Sequence, residues 1–409
     1  MLKNSFQQLN GKQKNSEGNF LPRTSIGVKL LKNSKIKNKT VLLRVDFNLP
    51  TADGKVLSDE DYRVKSALPT IKFLLKDGNK IILVSHLGRP NGEWHKAYSL
   101  KPLIGHLEDI IGEKINFIED DIRELKNINC DKICLLENIR FYKEEENNNK
   151  KFAEKLASFA DIFVNDAFSV CHRAHASVEA ITEFLPSFVG LSLAKEIDIL
   201  DKALKNPAHP VTVIIGGLKA ETKVRVIGNF LPKADFIILG GVVANTILSV
   251  KGEEVGRSII SPEVIPAIKK MKVANIKFTV PVDVVVSKDL DGASGATAVQ
   301  IGSVSRDDII LDIGGRSVDL FCSLIRESKT IIWNGPMGRA DMEIFSNGTK
   351  AIAGAISKSG AYSIVGGGDT IAAISKMGIL DKFSYISTGG GAMLEYLAEN
   401  KLPGIEALK

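Results

Sequence analysis

From Thr40 onward, short apolar runs rich in β-branched residues alternate with longer segments whose apolar positions recur at helical spacing. The first half offers strands at Val41–Phe47, Lys80–His86, Lys132–Glu137 and Asp161–Asp166. The second half offers Val211–Gly216, Phe236–Gly240, Lys277–Val286, Ile309–Ile313, Thr330–Asn334, Ser363–Gly366 and Phe383–Ser387. Amphipathic stretches such as Arg63–Lys76 and Lys150–Phe159 lie between them. Near-continuous apolar strands separated by helices predict an α/β architecture, with parallel sheets covered on both faces. Leu185–Asn206 reads as a single long helix joining the halves, closed by Pro207 and Pro210.

The halves end their strands differently. His, Arg, Asn and Asp follow the strands of the first half (RVDFN, SHLGR, LLENIR, NDAFSVCHRAH), whereas glycines follow those of the second (IIGGLK, ILGG, WNGPMG, VGGGD, STGGG). In open α/β sheets ligands bind beyond the carboxyl ends of the strands. The contrast therefore points to an anionic molecule on a basic first half and a nucleotide on a glycine-rich second half. Arg44, Arg63, Arg89, Arg140 and Arg173 recur after strands, and their planar forks suit carboxylate or phosphate. Asp46 and Asn48 can accept from hydroxyls or form an Asx turn. His86 and His175 are acceptable anion partners.

In the second half, Lys219 and Lys223 share one face at the start of a helix, where cations oppose the dipole unless an anion sits between them. Asn334, Pro336 and Asp341 follow another strand. The run SIVGGGDTIAA at 363–373 reads as strand, glycine turn and helix start. Its amides can approach phosphate, and Asp369 at the mouth calls for a cation in between, as Mg²⁺ on a nucleotide would supply. The plainer alternative is an N-capped turn. No GxxxxGK[ST] occurs, and HRA at 172–174 is followed by no DFG, so neither P-loop nor protein-kinase chemistry is indicated.

Composition alters this picture little. The chain of 409 residues is 44% apolar and 25% charged, ordinary for a globular protein of about two domains. Residues 1–40 carry nine Lys/Arg against one acid, so the net charge of +6 leaves the remainder near −2. A near-neutral body argues against a broad nucleic-acid surface. Residues 1–22 read as a disordered basic extension; its lack of Arg before Arg23 speaks against organelle targeting, and a cytoplasmic location is expected. The four cysteines show no zinc spacing and read as reduced thiols.

Eight motifs in order, namely RVDFNLP, DYR, SHLGRP, LLENIRF, NDAFSVCHRAHAS, WNGPMG, GGGDT and STGGGA, closely resemble phosphoglycerate kinase across about residues 24–409. The resemblance implies two doubly wound, Rossmann-like parallel-sheet domains joined by a long hinge helix, with the active site in the interdomain cleft. The implied divisions are 23–190 for phosphoglycerate, 191–206 for the helix, 207–386 for nucleotide and 387–409 returning to the first domain. It also implies a monomer that acts on 3-phosphoglycerate or 1,3-bisphosphoglycerate and ADP or ATP with Mg²⁺, needing neither nucleic acid nor membrane.

By resemblance, Asp46, Asn48, Arg63, His86, Arg89, Arg140 and Arg173 bind the three-carbon acid. Arg63, Lys219, Gly367 and Gly390 serve the phosphoryl in transit. Lys223, Asn334, Pro336, Asp341, Gly366, Gly367, Gly368, Asp369 and Thr370 hold the nucleotide, with Asp369 on the metal. The sequence departs from the family pattern at Val242, Val243, Ile310, Gly315, Arg339, Ala340 and Asp341, positions the family places around base and ribose. Altered base preference, or a catalytically weakened nucleotide-binding protein on the same fold, is the alternative expectation.

Overall fold

The apolar run Thr40–Arg44 lies inside the first of two six-stranded parallel sheets in the computed structural model. The structure describes residues 27–49, 51–52, 55–56, 61–271 and 277–409. The expected extension at 1–22 lies outside them. The spatial order of the first sheet is Asn116–Ile118, Ile133–Leu136, Lys80–Val84, Thr40–Arg44, Ile162–Asn165, Ser187–Val189. That of the second is Phe278–Thr279, Phe236–Leu239, Val211–Ile215, Thr330–Asn334, Tyr362–Gly366, Tyr385–Ile386. The two sheets are the predicted α/β, doubly wound architecture. Their central strands are buried on both faces, which is why they read as unbroken apolar runs.

The described residues form two compact units. One extends to Lys195 and takes in Pro403–Lys409; the other is Glu196–Leu402. In the first unit Gly404 donates its N–H to the Cys171 carbonyl (2.9 Å), and Ile405 and Leu408 are buried. A Cβ at Gly404 would come within 2.5 Å of Val178, so the segment lies flush on its neighbours. No helix among the described residues is long and apolar enough to cross a membrane.

Three expectations need correction. Leu185–Asn206 is not one helix: Ser187–Val189 is a strand paired with Ile162–Asn165, and the helix is Leu191–Lys205. Its start is fixed from outside the segment. Leu191 N–H donates to Thr70 Oγ1, and Ser192 and Leu193 N–H both donate to Asp166 Oδ1. Asp166 is thus a remote cap, and burial pushes its carboxyl up to about 7. Lys277–Val286 is likewise two strands, because Pro281 interrupts it. Phe278–Thr279 joins the second parallel sheet, whereas Asp283–Ser287 pairs antiparallel with Thr297–Gln300 and Ile309–Ile313 in a separate three-stranded sheet. Finally, Cys130 and Cys134 are joined as a disulfide, which Cys171 and Cys322 do not share.

Candidate functional site

In the second sheet the strand order turns back between Val211–Ile215 and Thr330–Asn334, and in the first between Thr40–Arg44 and Ile162–Asn165. Crevices open beyond the carboxyl ends of strands at such switch points. The predicted residues gather at both.

In the first unit Asp46 is the hub. Its carboxylate accepts from Arg63 Nη1, Ser169 Oγ (2.6 Å) and Asn48 N–H (3.0 Å). Burial works against its ionisation, yet Arg63, His86 and these hydrogen bonds hold it well below the usual carboxylate range. Asn48 Oδ1 accepts from Gly88 N–H (2.8 Å), which ties the loop after the first strand to the SHLGRP loop. Arg140, buried, donates to the Gly88 carbonyl (2.8 Å) and lies 3.5 Å from Glu146. Burial, then Arg44 and Arg173, lower its guanidinium to about 10, so the cation persists at neutral pH. Arg173 packs its Nε against His172 Nε2, whereas Arg89 is exposed on its loop. His86, Arg63, Asp46 and Arg140 are therefore assembled here, with Arg89 at the rim. Ser169 was not anticipated: it lay inside a quoted motif, but a hydroxyl carries no spacing signal.

In the second unit the backbones at the switch point are in contact. Gly216 N–H donates to the Asn334 carbonyl, and Gly217 N–H to that of Pro336 (2.7 Å). A Cβ at Gly216 would lie 2.0 Å from the Pro336 oxygen, so glycine is required there. Lys219 is exposed at the N-cap of helix Ala220–Phe230. One turn on, Lys223 is buried and donates to the Gly216 carbonyl. Burial lowers its ammonium to about 8, with Asp369 opposing and Lys219 assisting.

Gly366–Thr370 form the facing wall. Gly367, at φ +101°, is the N-cap of helix Gly368–Lys376, whose first turn carries the exposed Asp369. Thr370 Oγ1 accepts from Gly335 N–H (2.9 Å), and the buried Asn334 Nδ2 has no hydrogen-bond partner among the described residues. A Cβ on Gly390 would lie 3.7 Å from Gly367 Cα, bringing the second glycine run alongside the first.

A cavity of about 630 Å³ opens beside these groups, lined by Gly217, Pro336, Asp341 and Asp369 among others. Val242, Ile310, Arg339 and Ala340 also line it; Val243 and Gly315 are not among its lining residues. Val243 is fully buried, and Gly315 opens helix Gly315–Glu327. Asp341 is engaged by Arg339 Nη2 (3.1 Å), whose other nitrogen donates to the Leu290 carbonyl.

Comparison with known proteins decides the family. The family model for phosphoglycerate kinase matches residues 31–400. The chain belongs to the phosphoglycerate kinase family. It is similar to the phosphoglycerate kinases of Finegoldia magna (44% identity over 93% of this chain and 98% of that protein) and Dictyoglomus turgidum (43%, same coverage). Among solved structures it resembles phosphoglycerate kinase from Coxiella burnetii, with 38% identity and a TM-score of 0.80. The Pyrococcus horikoshii enzyme follows at 32% and 0.78; each alignment covers 93% of this chain and 98% of the other. As in other phosphoglycerate kinases, a nucleotide is a substrate.

The Lys223 ammonium gives this site a pH signature. Its charge is present below about pH 8 and lost above, so KM for nucleotide should rise several-fold between pH 7 and 9. Lys223→Arg, which stays protonated, should flatten that rise; an unchanged profile in the variant would remove Lys223 from phosphate binding.

Proposed function

We infer that this protein catalyses reversible phosphoryl transfer between 1,3-bisphosphoglycerate and MgADP, giving 3-phosphoglycerate and MgATP. The observation that carries the reading is a pair of switch points of opposite chemistry in one chain of this family. One is furnished with Arg63, His86 and Arg140 around Asp46, the other with Lys219, Lys223 and glycine amides.

In the direction of ATP use, a carboxylate oxygen of 3-phosphoglycerate attacks the γ-phosphorus in line. The bond to the β,γ-bridging oxygen breaks, leaving its electron pair on ADP. Such transfer needs positioning and charge neutralisation more than covalent help. Asp46, Asn48, His86, Arg89, Arg140 and Arg173 hold the acid. Arg63 and Lys219 face the moving phosphoryl, assisted by amides at Gly367 and Gly390. Asn334 Nδ2, Lys223, Pro336, Thr370 and Gly366–Gly368 cradle the nucleotide, and Asp341 stands beside its ribose. The exposed carboxylate of Asp369 would hold Mg²⁺, a cation that usually takes one or two carboxylates beside phosphate oxygens. That ion supplies neutralisation of the polyphosphate charge. Helix Leu191–Lys205 acts as the hinge, and the enzyme works as a cytoplasmic monomer on small molecules alone.

A coupled assay with 3-phosphoglycerate, ATP and Mg²⁺ tests this directly. Turnover is expected, with loss on chelation, and running GTP beside ATP reads the altered pocket in the same plate. No turnover with either nucleotide would sink the proposal.

A further inference from the structure

Arg44 takes no part in the scheme above, although it is wholly buried directly behind it. Its guanidinium is fixed on three sides. Nε donates to Ser177 Oγ (3.0 Å), Nη1 donates to the Val45 carbonyl, and Nη2 lies 3.3 Å from His86 Nδ1. Ser177 is fixed in turn: its hydroxyl donates to Glu145 Oε1 (2.7 Å) and its N–H to Oε2 (2.8 Å). With its only proton given to Glu145, the Ser177 oxygen can only accept from Arg44. Glu145 is itself completely buried and supplies the countercharge for the guanidinium.

The decisive asymmetry is chemical. Guanidinium has five donors and no acceptor, so the nitrogen facing it must be the bare one. Nδ1 of His86 is therefore the acceptor, and the ring proton resides on Nε2, which has no protein partner among the described residues. We propose that Arg44 is a positioning residue that holds His86 as the neutral Nε2–H tautomer, so that the ring meets the anionic substrate as a hydrogen-bond donor rather than as a cation. The proposal rests on the reading of His86 as a substrate ligand.

The surroundings agree. Besides Arg44, His86 faces Arg140 and Arg63, which oppose a further positive charge, and Asp46, which favours it but is already paired with Arg63. Burial and the neighbouring guanidiniums keep the imidazole well below its ordinary value, so it stays neutral through the physiological range.

The test is nitrogen-15 NMR of histidine-labelled protein from pH 6 to 8, with kinetics of Arg44→Met and Arg44→Lys. Wild-type His86 should show protonated Nε2 and bare Nδ1 throughout. In Arg44→Met the ring should lose its single tautomer and take up its second proton at a higher pH than in the wild type. KM for 3-phosphoglycerate should then rise about tenfold at pH 8, the worth of one charge-assisted hydrogen bond, and fall back as pH is lowered. KM for MgATP should not move, and Arg44→Lys should recover part of the loss. If Arg44→Met does not fold, Ser177→Ala, which releases Arg44 Nε, is read in the same way with a smaller change. A wild-type ring protonated on Nδ1, or a tautomer and pH profile unaltered in the variants, overturns the proposal. Either result leaves the coupled assay standing, so it is distinct from failure of the functional reading.

Discussion

Replacing Lys219 by alanine is expected to lower kcat roughly 10³-fold while leaving both KM values within about threefold. The side chain is exposed at the mouth of a helix N-terminus and caps nothing, so the folded structure does not depend on it. Two fixed sources of positive potential already lie nearby, the buried Lys223 ammonium and the N-terminal amides of helix Ala220–Phe230. On the proposed reading these hold the ground-state phosphates. What only an unburied, mobile ammonium can do is follow charge as it moves from one oxygen to another. Loss of Lys219 therefore falls on the transition state, which appears as kcat. Steady-state kinetics with circular dichroism as a folding control decide it: near-normal kcat in a folded variant would assign transit stabilisation elsewhere.

Asp369→Asn should lower kcat/KM for nucleotide about 100-fold, with a matching rise in the Mg²⁺ concentration needed for half-maximal rate. The amide keeps size and first-turn position but loses the charge that a hard cation requires. Cost to stability should be small, about 0.5 kcal/mol, from one less acid at the helix start. KM for 3-phosphoglycerate should not change. A variant with an unaltered Mg²⁺ titration would show that the ion is held by phosphate and water alone.

How far the sequence revealed the molecule depends on distance along the chain. The buried strands at Thr40–Arg44 or Thr330–Asn334 are local signals, since a parallel strand covered on both faces has no polar positions to hide it. Glycines at 216, 335 and 367 were equally legible, because a Cβ at each meets backbone or forces a strained φ. What was not legible is what distant residues impose. Helix Leu191–Lys205 starts where Asp166 and Thr70 cap it, and nothing between 185 and 190 announces those partners. The helical reading of 185–190 failed for that reason, and because Pro186 leads into a strand whose partner lies over twenty residues away. At the site, residue types were readable but their pairings were not. Asp46 was readable as an acceptor or an Asx turn, but not its partners Arg63 and Ser169. Arg44 looked like one more anion-binding arginine, yet it is sealed behind His86. Asp341 was readable as standing in the place of a ribose-binding acid, but its contact with Arg339 was not.

The segment Pro403–Lys409, seated on Cys171 and Val178, has a consequence for the order in which the protein takes shape during synthesis. Chains emerge from the ribosome amino end first, and domains commonly fold as they emerge. Here the unit that is made first is completed by residues made more than two hundred positions later, after all of Glu196–Leu402 has been translated. Both halves carry all their own strands, but the early half must persist with Cys171 and Val178 uncovered until Pro403–Lys409, which groups with it, is made. The half translated second is thus the first able to finish, and premature termination near residue 402 would spoil the end of the protein that was made earliest.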